Sequence, residues 1–382
     1  MTSPEPALRV ERTPMAAGQL YVSFELSDKR WKLTASDGTR AVSRYTVAAG
    51  DRAAVLDGLR RAKARLGLQL EARVHSCYEA GRDGWWLHRW LREQGIDNVV
   101  VDSSSIEVNR RARRAKTDGI DGDKLLGLLV RHHGGQEKMW SVLHEPSVQQ
   151  EDARRLHREM GRLTHEITSH GNRISALLVL HNLRAHGVGG RSWLAWWSAH
   201  RDQVPPNLAR EIERETERLL LASHQLKSLE ADRRQQLAAG QHPVVVQLTR
   251  LRAIGVRGAW VLSKELFDWR RFSNRRQLAA CLGLTPTPYS SGDSVVEQGI
   301  SKAGNKRVRA LAVELAWRWV SLQPDSALTQ WFNQRFATRG QRMRRVGIVA
   351  LARRLMIALW RYVEHGQVPA GARLKPLAST ID

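Results

Sequence analysis

The first 140 residues alternate short strand-like segments with amphipathic helices. Three segments with the two-residue period of β-strands precede a helical one, and strand and helix then alternate. The predicted strands are 20–26, 30–36, 40–47, 70–77 and 97–102, and the predicted helices are 51–66, 84–94 and 120–131. The order βββαβαβα predicts a mixed sheet flanked by helices. Because ribonuclease-H-like folds have this order, we expect an α/β domain of that kind over residues 18–140.

Two heptad seams dominate residues 145–240. Within each seam, apolar residues recur at alternating steps of four and three, which is the pattern of a coiled coil. The first seam comprises Leu156, Met160, Leu163, Ile167, His170, Ile174 and Leu177, and the second comprises Leu208, Ile212, Glu215, Leu219, Ala222, Leu226 and Leu229. The seams can close on each other as an antiparallel hairpin or pair across subunits. We expect a helical spacer that sets distance and oligomeric state.

Residues 244–366 form a third block, predicted to be mainly helical. Two short helices flank the glycine turn at residues 255–258. This pattern fits a helix-hairpin-helix, whose turn amides can meet a DNA phosphate, and it fits a plain helical hairpin equally well. Two prolines then interrupt the chain at positions 286 and 288, and helices are predicted again over 302–322 and 343–364.

Charge adds a partner to this picture. Lys and Arg number 61 against 38 Asp and Glu, so the formal net charge is +23. Neutralising a phosphate backbone releases its counterions, so such a surplus favours nucleic acid. An anionic membrane is the rival partner, but no basic amphipathic anchor stands out and no segment is apolar enough to span a bilayer.

Cysteine usage and the N-terminal segment indicate the compartment. Only Cys77 and Cys281 are present, which excludes a disulfide framework and a zinc site built mainly of thiolates. The first 19 residues lack the apolar core of a signal peptide. We expect a cytoplasmic protein of a bacterial nucleoid.

Four carboxylates stand where strands end or a helix begins. Glu25 ends the first strand, Glu79 follows the fourth, and Asp118 and Asp121 share one face at the start of the last helix. In a ribonuclease-H-like sheet these positions converge, and clustered carboxylates suit Mg²⁺ in phosphoryl transfer. Taken singly, each acid is better explained as an ordinary surface residue, but the four acids together with the strand order favour the metal site.

Weaker candidates surround this cluster. Asp102 and Asp123 are auxiliary ligands or helix caps. A basic run precedes Asp118 directly, and it is either a solvated face or a guide for a phosphate backbone. Its cationic residues are Arg110, Arg111, Arg113, Arg114 and Lys116.

Residues 289–309 (YSSGDSVVEQGISKAGNKRVR) offer a hydroxyl on a glycine turn. Lys302, Arg307 and Arg309 follow it and can stabilise the charge of a phosphorane. The same letters also describe an ordinary turn followed by a helix with Ser301 as its cap. Chemistry alone therefore favours the turn and cap for this segment, with catalysis as the alternative.

Several motifs, in order, resemble those of a known family. They are residues 78–81 (YEAG), 115–121 (AKTDGID), the glycine turn at 254–258, 277–286 (QLAACLGLTP) and 289–309. They are similar to insertion-sequence transposases that join a RuvC-like DEDD domain to a C-terminal serine domain, some of which are bridge-RNA-guided recombinases. The resemblance covers nearly the whole chain.

The resemblance implies a mechanism. Glu79, Asp118 and Asp121 would be three of four acids that bind Mg²⁺, and Ser291 the nucleophile that becomes linked to a DNA phosphate. It also implies donor and target DNA, a structured non-coding guide RNA, and assembly into homodimers or tetramers. We therefore expect a DNA transposase or recombinase.

Two departures keep alternatives open. The first acid of the family is normally Asp, whereas this chain has Glu25, with Asp28 as a neighbouring substitute. Ser290 is adjacent to Ser291 and is a second candidate nucleophile. The rival functions are a metal-only junction endonuclease and a non-catalytic nucleic-acid-binding protein derived from a transposase.

Overall fold

A computed structural model of the chain describes residues 18–81, 83–102, 105–106, 118–136, 139–291 and 294–376, with the side chains of all of these except 118–121 and 288–298. The chain divides into two compact units at Glu145 and Pro146. The predicted boundaries at 140 and 145 lie close to this division, and the further boundary between residues 240 and 244 lies inside the second unit.

The first unit is a five-stranded mixed sheet with helices, as predicted. Its strands are β1 (Gln19–Leu26), β2 (Arg30–Ser36), β3 (Ser43–Ala48), β4 (Arg73–Glu79) and β5 (Asp97–Val101), and its helices are α1 (Arg52–Arg65), α2 (Trp86–Glu93) and α3 (Asp118–His133). The strand order across the sheet is β3-β2-β1-β4-β5. β1 pairs antiparallel with β2 and parallel with β4, so the first and fourth strands are neighbours.

The fourth strand lies further along the chain than its hydrophobic pattern predicted. The prediction was 70–77, but β4 begins at Arg73 and ends at Glu79, which pairs with Val101 of β5. Leu70 lies in a turn and is 66% exposed, so this apolar residue wrongly placed the start of the predicted strand. Glu79 is consequently the last residue of the strand and does not follow it.

The strands of this sheet bury both faces, because successive residues point to opposite sides. Leu20, Val22 and Phe24 of β1 belong to a core with α1 and α2. Tyr21 of β1 and Cys77 of β4 belong to a second core, beneath α3. The face that α3 covers is therefore the one to which Glu25 and Glu79 belong by strand alternation.

The second unit is mainly helical, with one β-hairpin. Its helices are α4 (Val148–Asp152), α5 (Arg155–Val179), α6 (Trp193–His200), α7 (Pro206–Ala238), α8 (Pro243–Thr249), α9 (Val256–Leu262), α10 (Arg275–Cys281), α11 (Lys306–Leu322), α12 (Ala327–Phe336) and α13 (Gly340–His365), and its strands are β6 (Pro286–Ser291) and β7 (Ser294–Ile300). The helices around α8, α9, α11 and α13 share a core that includes Trp260, Trp319, Leu351 and Leu355.

The two heptad seams close on each other within the chain. α5 packs along α7, and the pairs His170–Glu215 and Arg173–Glu211 show that the two helices run antiparallel. The polar residue in each seam meets the other, since Nδ1 of His170 lies 2.6 Å from Oε2 of Glu215. A buried polar pair of this kind favours one register of the hairpin.

The β-hairpin is a correction to the prediction for residues 286–300. A turn was expected there after Pro286 and Pro288, but β6 and β7 pair antiparallel, with Ser291 opposite Ser294. A register shift between Pro286 and Pro288 accommodates the two residues that lack a backbone N–H. α12 was likewise absent from the predicted helices.

Candidate functional site

Glu25 and Glu79 lie side by side at one end of the sheet. The parallel register of β1 and β4 pairs Phe24 with Tyr78, so the next residue of each strand is an acid. Glu25 is half-buried and Glu79 is exposed. On its other side Glu25 pairs in register with Lys32 of β2, which places one cation beside the two acids.

α3 runs back across these strands from the acidic end. Its Gly122 carbonyl accepts a 2.7 Å hydrogen bond from Ser23 Oγ of β1, and a Cβ at Gly122 would lie 2.7 Å from Thr34 Oγ1 of β2. The contact therefore requires glycine. The backbone of Asp118 and Asp121 lies within the turn that precedes Gly122, towards the end of the sheet that carries Glu25 and Glu79. The side chains of both aspartates lie outside the described residues.

The auxiliary acids have different surroundings. Asp123 is bound by Arg44, whose Nη2 donates to both carboxylate oxygens at 2.8 and 2.6 Å. Asp123 also lies inside α3, so its prediction as a helix cap is wrong. Asp102 follows β5, and its carbonyl accepts from the backbone and hydroxyl of Ser105. Asp28 lies exposed in the bend between β1 and β2.

Ser290 and Ser291 are the last two residues of β6. Ser291 pairs with Ser294 next to the hairpin turn, and Ser290 pairs with Val295. The glycine turn that was predicted to carry the hydroxyl begins at residue 292, outside the described residues.

The loop at residues 301–305 anchors the base of this hairpin to the end of α10. The backbone amides of Ser301, Lys302 and Asn305 donate to the carbonyls of Thr285, Gly283 and Cys281. The approach is so close that a Cβ at position 304, where φ is +87°, would lie 2.2 Å from the Cys281 carbonyl oxygen. Glycine is therefore required at that position.

Two predicted roles in this loop change. Asn305 caps α11, accepting from the Val308 amide at 3.1 Å, so the prediction that Ser301 is the cap is wrong. Arg309 Nη1 donates to the carbonyls of Leu282 at 3.1 Å and Ala303 at 3.3 Å, which gives it a role in holding the loop. Lys302 and Arg307 are exposed.

A buried glutamate beneath this loop was not predicted from the sequence. Glu265 lies in a π-helical turn, Ser263–Phe267, and is 2% exposed. It accepts hydrogen bonds from His157 Nε2 at 2.9 Å, from Arg158 Nε at 2.8 Å and Nη2 at 2.9 Å, and from Asn305 Nδ2 at 3.2 Å. Burial opposes ionisation, but the bonds from His157 and Arg158 hold the pKa of Glu265 far below its ordinary value. Glu265 therefore joins α5 to the cap of α11.

Next to this network, α5, α7, α9 and α11 line a cleft of about 230 Å³. Three guanidinium groups line it, from Arg233, Arg257 and Arg307, together with Glu230 and Glu314. Arg233 Nε is buried and has no hydrogen-bond partner among the described residues, and burial lowers the pKa of Arg233. This cationic cleft, as we call it, has the chemistry to bind an anion such as a phosphate.

Other predictions receive less support. The predicted glycine turn at residues 255–258 lies at the start of α9, with Gly255 as the N-cap, which fits the helix-hairpin-helix and the plain helical hairpin alike. The basic run of Arg110, Arg111, Arg113, Arg114 and Lys116 lies outside the described residues. Among the helices that are described, none combines the length and apolar composition needed to cross a bilayer.

Comparison with known proteins agrees with the resemblance at the level of family. The family model described as "Transposase IS116/IS110/IS902 family" matches residues 246–331, which include the hairpin with Ser291, the loop that anchors it and Glu265.

Relatives extend this similarity to the rest of the chain. A Sinorhizobium fredii protein that carries a transposase name, y4rJ, is 39% identical over 384 residues and covers 94% of this chain and 95% of its own length. A second such protein of that organism, y4qE, is 32% identical and covers 69% of this chain and 62% of its own length. The transposase for insertion sequence element IS1328 of Yersinia enterocolitica is 28% identical over 44% of this chain and 49% of its own.

Proposed function

The chain belongs to the IS116/IS110/IS902 family of insertion-sequence transposases, and we propose that it cuts and rejoins DNA with a serine nucleophile and a Mg²⁺-binding carboxylate cluster. In this proposal Glu25, Glu79, Asp118 and Asp121 form the cluster and Ser291 is the nucleophile. The first unit is then a RuvC-like DEDD domain, the α5–α7 hairpin a spacer, and the remaining residues, 244–366, a serine domain.

The observation that carries the proposal is the parallel pairing of β1 with β4. It makes Glu25 and Glu79 neighbours on the face that α3 covers, and the helix begins at Asp118. Carboxylates brought together at one end of a sheet are the donor set that a divalent cation binds in phosphoryl transfer. This is why we interpret the acids as a site and not as unrelated surface residues.

The donors fit Mg²⁺ by their chemistry. Carboxylate oxygens are the hard ligands that Mg²⁺ prefers, and it is commonly held by one or two of them together with substrate phosphates. The longer side chain of Glu25 reaches an ion from slightly further back than aspartate does. When bound, the ion supplies a Lewis acid that stabilises charge on the phosphate oxygens.

The serine step conserves the energy of the phosphodiester. Ser291 Oγ attacks a DNA phosphorus, the bond from phosphorus to one strand oxygen breaks, and the serine proton passes to that oxygen. Attack by the hydroxyl of another strand then releases Ser291 and joins the strands. Lys302 and Arg307 follow the hairpin and, by our proposal, stabilise the phosphorane.

Binding of nucleic acid relies on charge in this proposal. The net charge of +23 and the cationic cleft favour phosphate backbones, and recognition of sequence is assigned to pairing of a structured guide RNA with donor and target DNA. We further propose that the chain works as a homodimer or tetramer at the bacterial nucleoid in the cytoplasm. Arg110, Arg111, Arg113, Arg114, Lys116 and Arg309 complete the proposed nucleic-acid contacts.

A covalent adduct tests the proposal. Purified chain is incubated with donor DNA, target DNA and the RNA of its own element, and protein–DNA adducts and joined products are measured. We expect both with wild type, neither with Ser291→Ala, and both with Ser290→Ala, the matched control at the adjacent position of β6. Asp118→Ala is expected to abolish both.

Other outcomes identify the rivals. Recombination by Ser291→Ala would overturn the serine mechanism. If only Asp118→Ala loses cutting, the chain is a metal-dependent endonuclease; if no variant differs and DNA binding persists without products, it is a binding protein.

A further inference from the structure

The opposite end of the first unit's sheet carries a second group of potential metal ligands. His75 of β4, Asp97 of β5 and His133, the last residue of α3, each offer one ligand atom, and these atoms lie within 4.8 Å of one another. His75 stands four residues before Glu79, about 13 Å along the strand, so this group is separate from the carboxylate cluster. We propose that His75, Asp97 and His133 bind one transition-metal ion, with Zn²⁺ as the physiological candidate.

Unsatisfied ring nitrogens are the first argument. His75 is 4% exposed, its Nδ1 lies 3.0 Å from Asp97 Oδ2, and its Nε2 is buried with no partner in the part of the chain that the structure describes. His133 Nε2 is buried and lacks a partner there as well. Buried polar atoms almost always have a partner, so the unpartnered Nε2 of His133, in the ring next to the His75–Asp97 pair, indicates a missing one.

The arrangement around the rings supports a metal as that partner. Nδ1 of His75 and Oδ2 of Asp97 lie 3.0 Å apart, close to the spacing of two ligand atoms on one tetrahedral ion, so these two atoms can face the same ion. Tyr21 stacks on His75 with ring centroids 5.3 Å apart, and the His75 and His133 centroids are 3.9 Å apart. The rings are therefore held in place before an ion arrives.

Protonation does not compete with binding at neutral pH. Burial lowers the pKa of His75, and burial together with the neighbouring His75 lowers that of His133 to about 4. Both imidazoles are then neutral, as metal ligation requires. Arg73 lies close enough to oppose a cation, but the Asp97 carboxylate adjoins His75 and its side chain is 43% exposed, which leaves a path for entry.

Ligand chemistry selects the ion class. Two imidazoles and one carboxylate suit Zn²⁺, Co²⁺ or Ni²⁺ better than Mg²⁺. Ligand atoms about 2.0–2.1 Å from a tetrahedral ion lie roughly 3.3 Å apart, so small side-chain movements would close the site. Three protein ligands leave one position for water. The bound ion would tie the end of α3 to β4 and β5.

The test uses tag-free, full-length chain stripped of metal, in excess Mg²⁺ to occupy the carboxylate cluster. Co²⁺ is titrated and its visible absorption recorded, and Zn²⁺ is then added as competitor. We expect one tight equivalent of Co²⁺ that Zn²⁺ displaces, loss of this equivalent in His133→Gln, and binding weakened about 10-fold or more in Asp97→Asn. His144→Gln, an exposed histidine of the same unit, should match wild type.

Absence of a tight equivalent in wild type would overturn the proposal, as would equal binding by wild type and His133→Gln. Circular dichroism checks that each variant is folded, and Asp97→Asn, which alters a partly exposed side chain, keeps the test decisive if His133→Gln does not fold. Neither DNA nor Ser291 takes part, so the result is independent of the proposed recombination.

Discussion

Glu79 and Glu265 are both glutamates, yet the two units of the chain surround them differently. Glu79 ends an exposed strand terminus with a second acid, Glu25, as its register neighbour. Glu265 is buried and receives hydrogen bonds from His157, Arg158 and Asn305. An acid whose cationic partners belong to the protein, such as Glu265, is part of the framework, whereas the neighbouring acids Glu25 and Glu79 are, by our proposal, ligands of an external cation.

Glu79→Gln should have the largest effect, and it should fall on activity. Removing one carboxylate from the cluster loses several kcal/mol of transition-state stabilisation, so DNA cutting should fall by about 10³-fold. An exposed strand end contributes little to folding, so the free energy of unfolding should change by only about 0.5 kcal/mol. Product formation and urea denaturation measure the two quantities.

Glu71→Gln is the matched control, because Glu71 is an exposed acid just before the other end of β4. It should retain wild-type cutting. If Glu79→Gln lowered the free energy of unfolding strongly and kept its cutting rate, Glu79 would belong to the framework. The proposed difference between Glu79 and Glu265 would then be wrong.

Glu265→Gln should show the converse, with an effect on folding. Loss of one partner of a buried ion pair leaves the other charge uncompensated and lowers the free energy of unfolding. We expect a loss of about 3 kcal/mol, the smaller end of what such changes cost, because the Arg158 side chain is 44% exposed. This is roughly a 10²-fold change in the folding equilibrium. The denaturation midpoint measures it, with the exposed pair Arg201–Glu213 as comparison through Glu213→Gln.

The pH dependence gives an independent check on Glu265. Because its pKa is lower in the folded chain, its contribution is present above the unfolded pKa near 4.5 and is lost as pH falls below it. The stability difference between wild type and Glu265→Gln should therefore be constant from pH 7 to about 5 and narrow below 4.5. A difference that grew with acidification would contradict this account.

How much of this could be predicted from the sequence depends on the range of the interactions. The α5–α7 seams are periodic over many residues, and both were found because helical packing repeats locally. The order of strands along the chain was also found from local periodicity. The neighbouring positions of Glu25 and Glu79 follow from the ribonuclease-H-like mixed sheet that this order predicted. Nothing local marks Glu265, whose partners lie on α5 and before α11, or the triplet of His75, Asp97 and His133, which only the topology assembles.

The hairpin β6–β7 escaped for a different reason. Pro286 and Pro288 are usual signs of a broken chain, and two paired strands of this length have little alternation to detect. The Ser301 cap failed because Gly304, at φ +87°, turns the chain and lets Asn305 start the helix. In the hairpin and at the helix cap alike, a rule based on neighbouring residues failed because backbone contacts between residues further apart in the chain decided the structure.

The smallest effect is expected at Arg307 in the cationic cleft. This residue combines a framework contact, like that of Glu265, with exposure to a ligand, like that of Glu79. Its guanidinium reaches α5, with Nη1 3.1 Å from where a Cβ at Gly161 would lie, so it is placed by the framework yet exposed to a ligand. If it contacts one phosphate, Arg307→Gln should weaken DNA binding several-fold and lower the slope of log affinity against log salt by about 0.9.

Arg201→Gln separates this contact from a general loss of charge. It removes the same charge, and its partner Glu213 lies twenty residues before Arg233 along α7, about 30 Å away. Filter binding over a series of salt concentrations should give the wild-type slope for Arg201→Gln and a shallower one for Arg307→Gln. Equal slopes in the two variants would mean that DNA affinity depends only on the net charge of the chain. Arg307, like Glu265, would then serve the packing of α11 against α5.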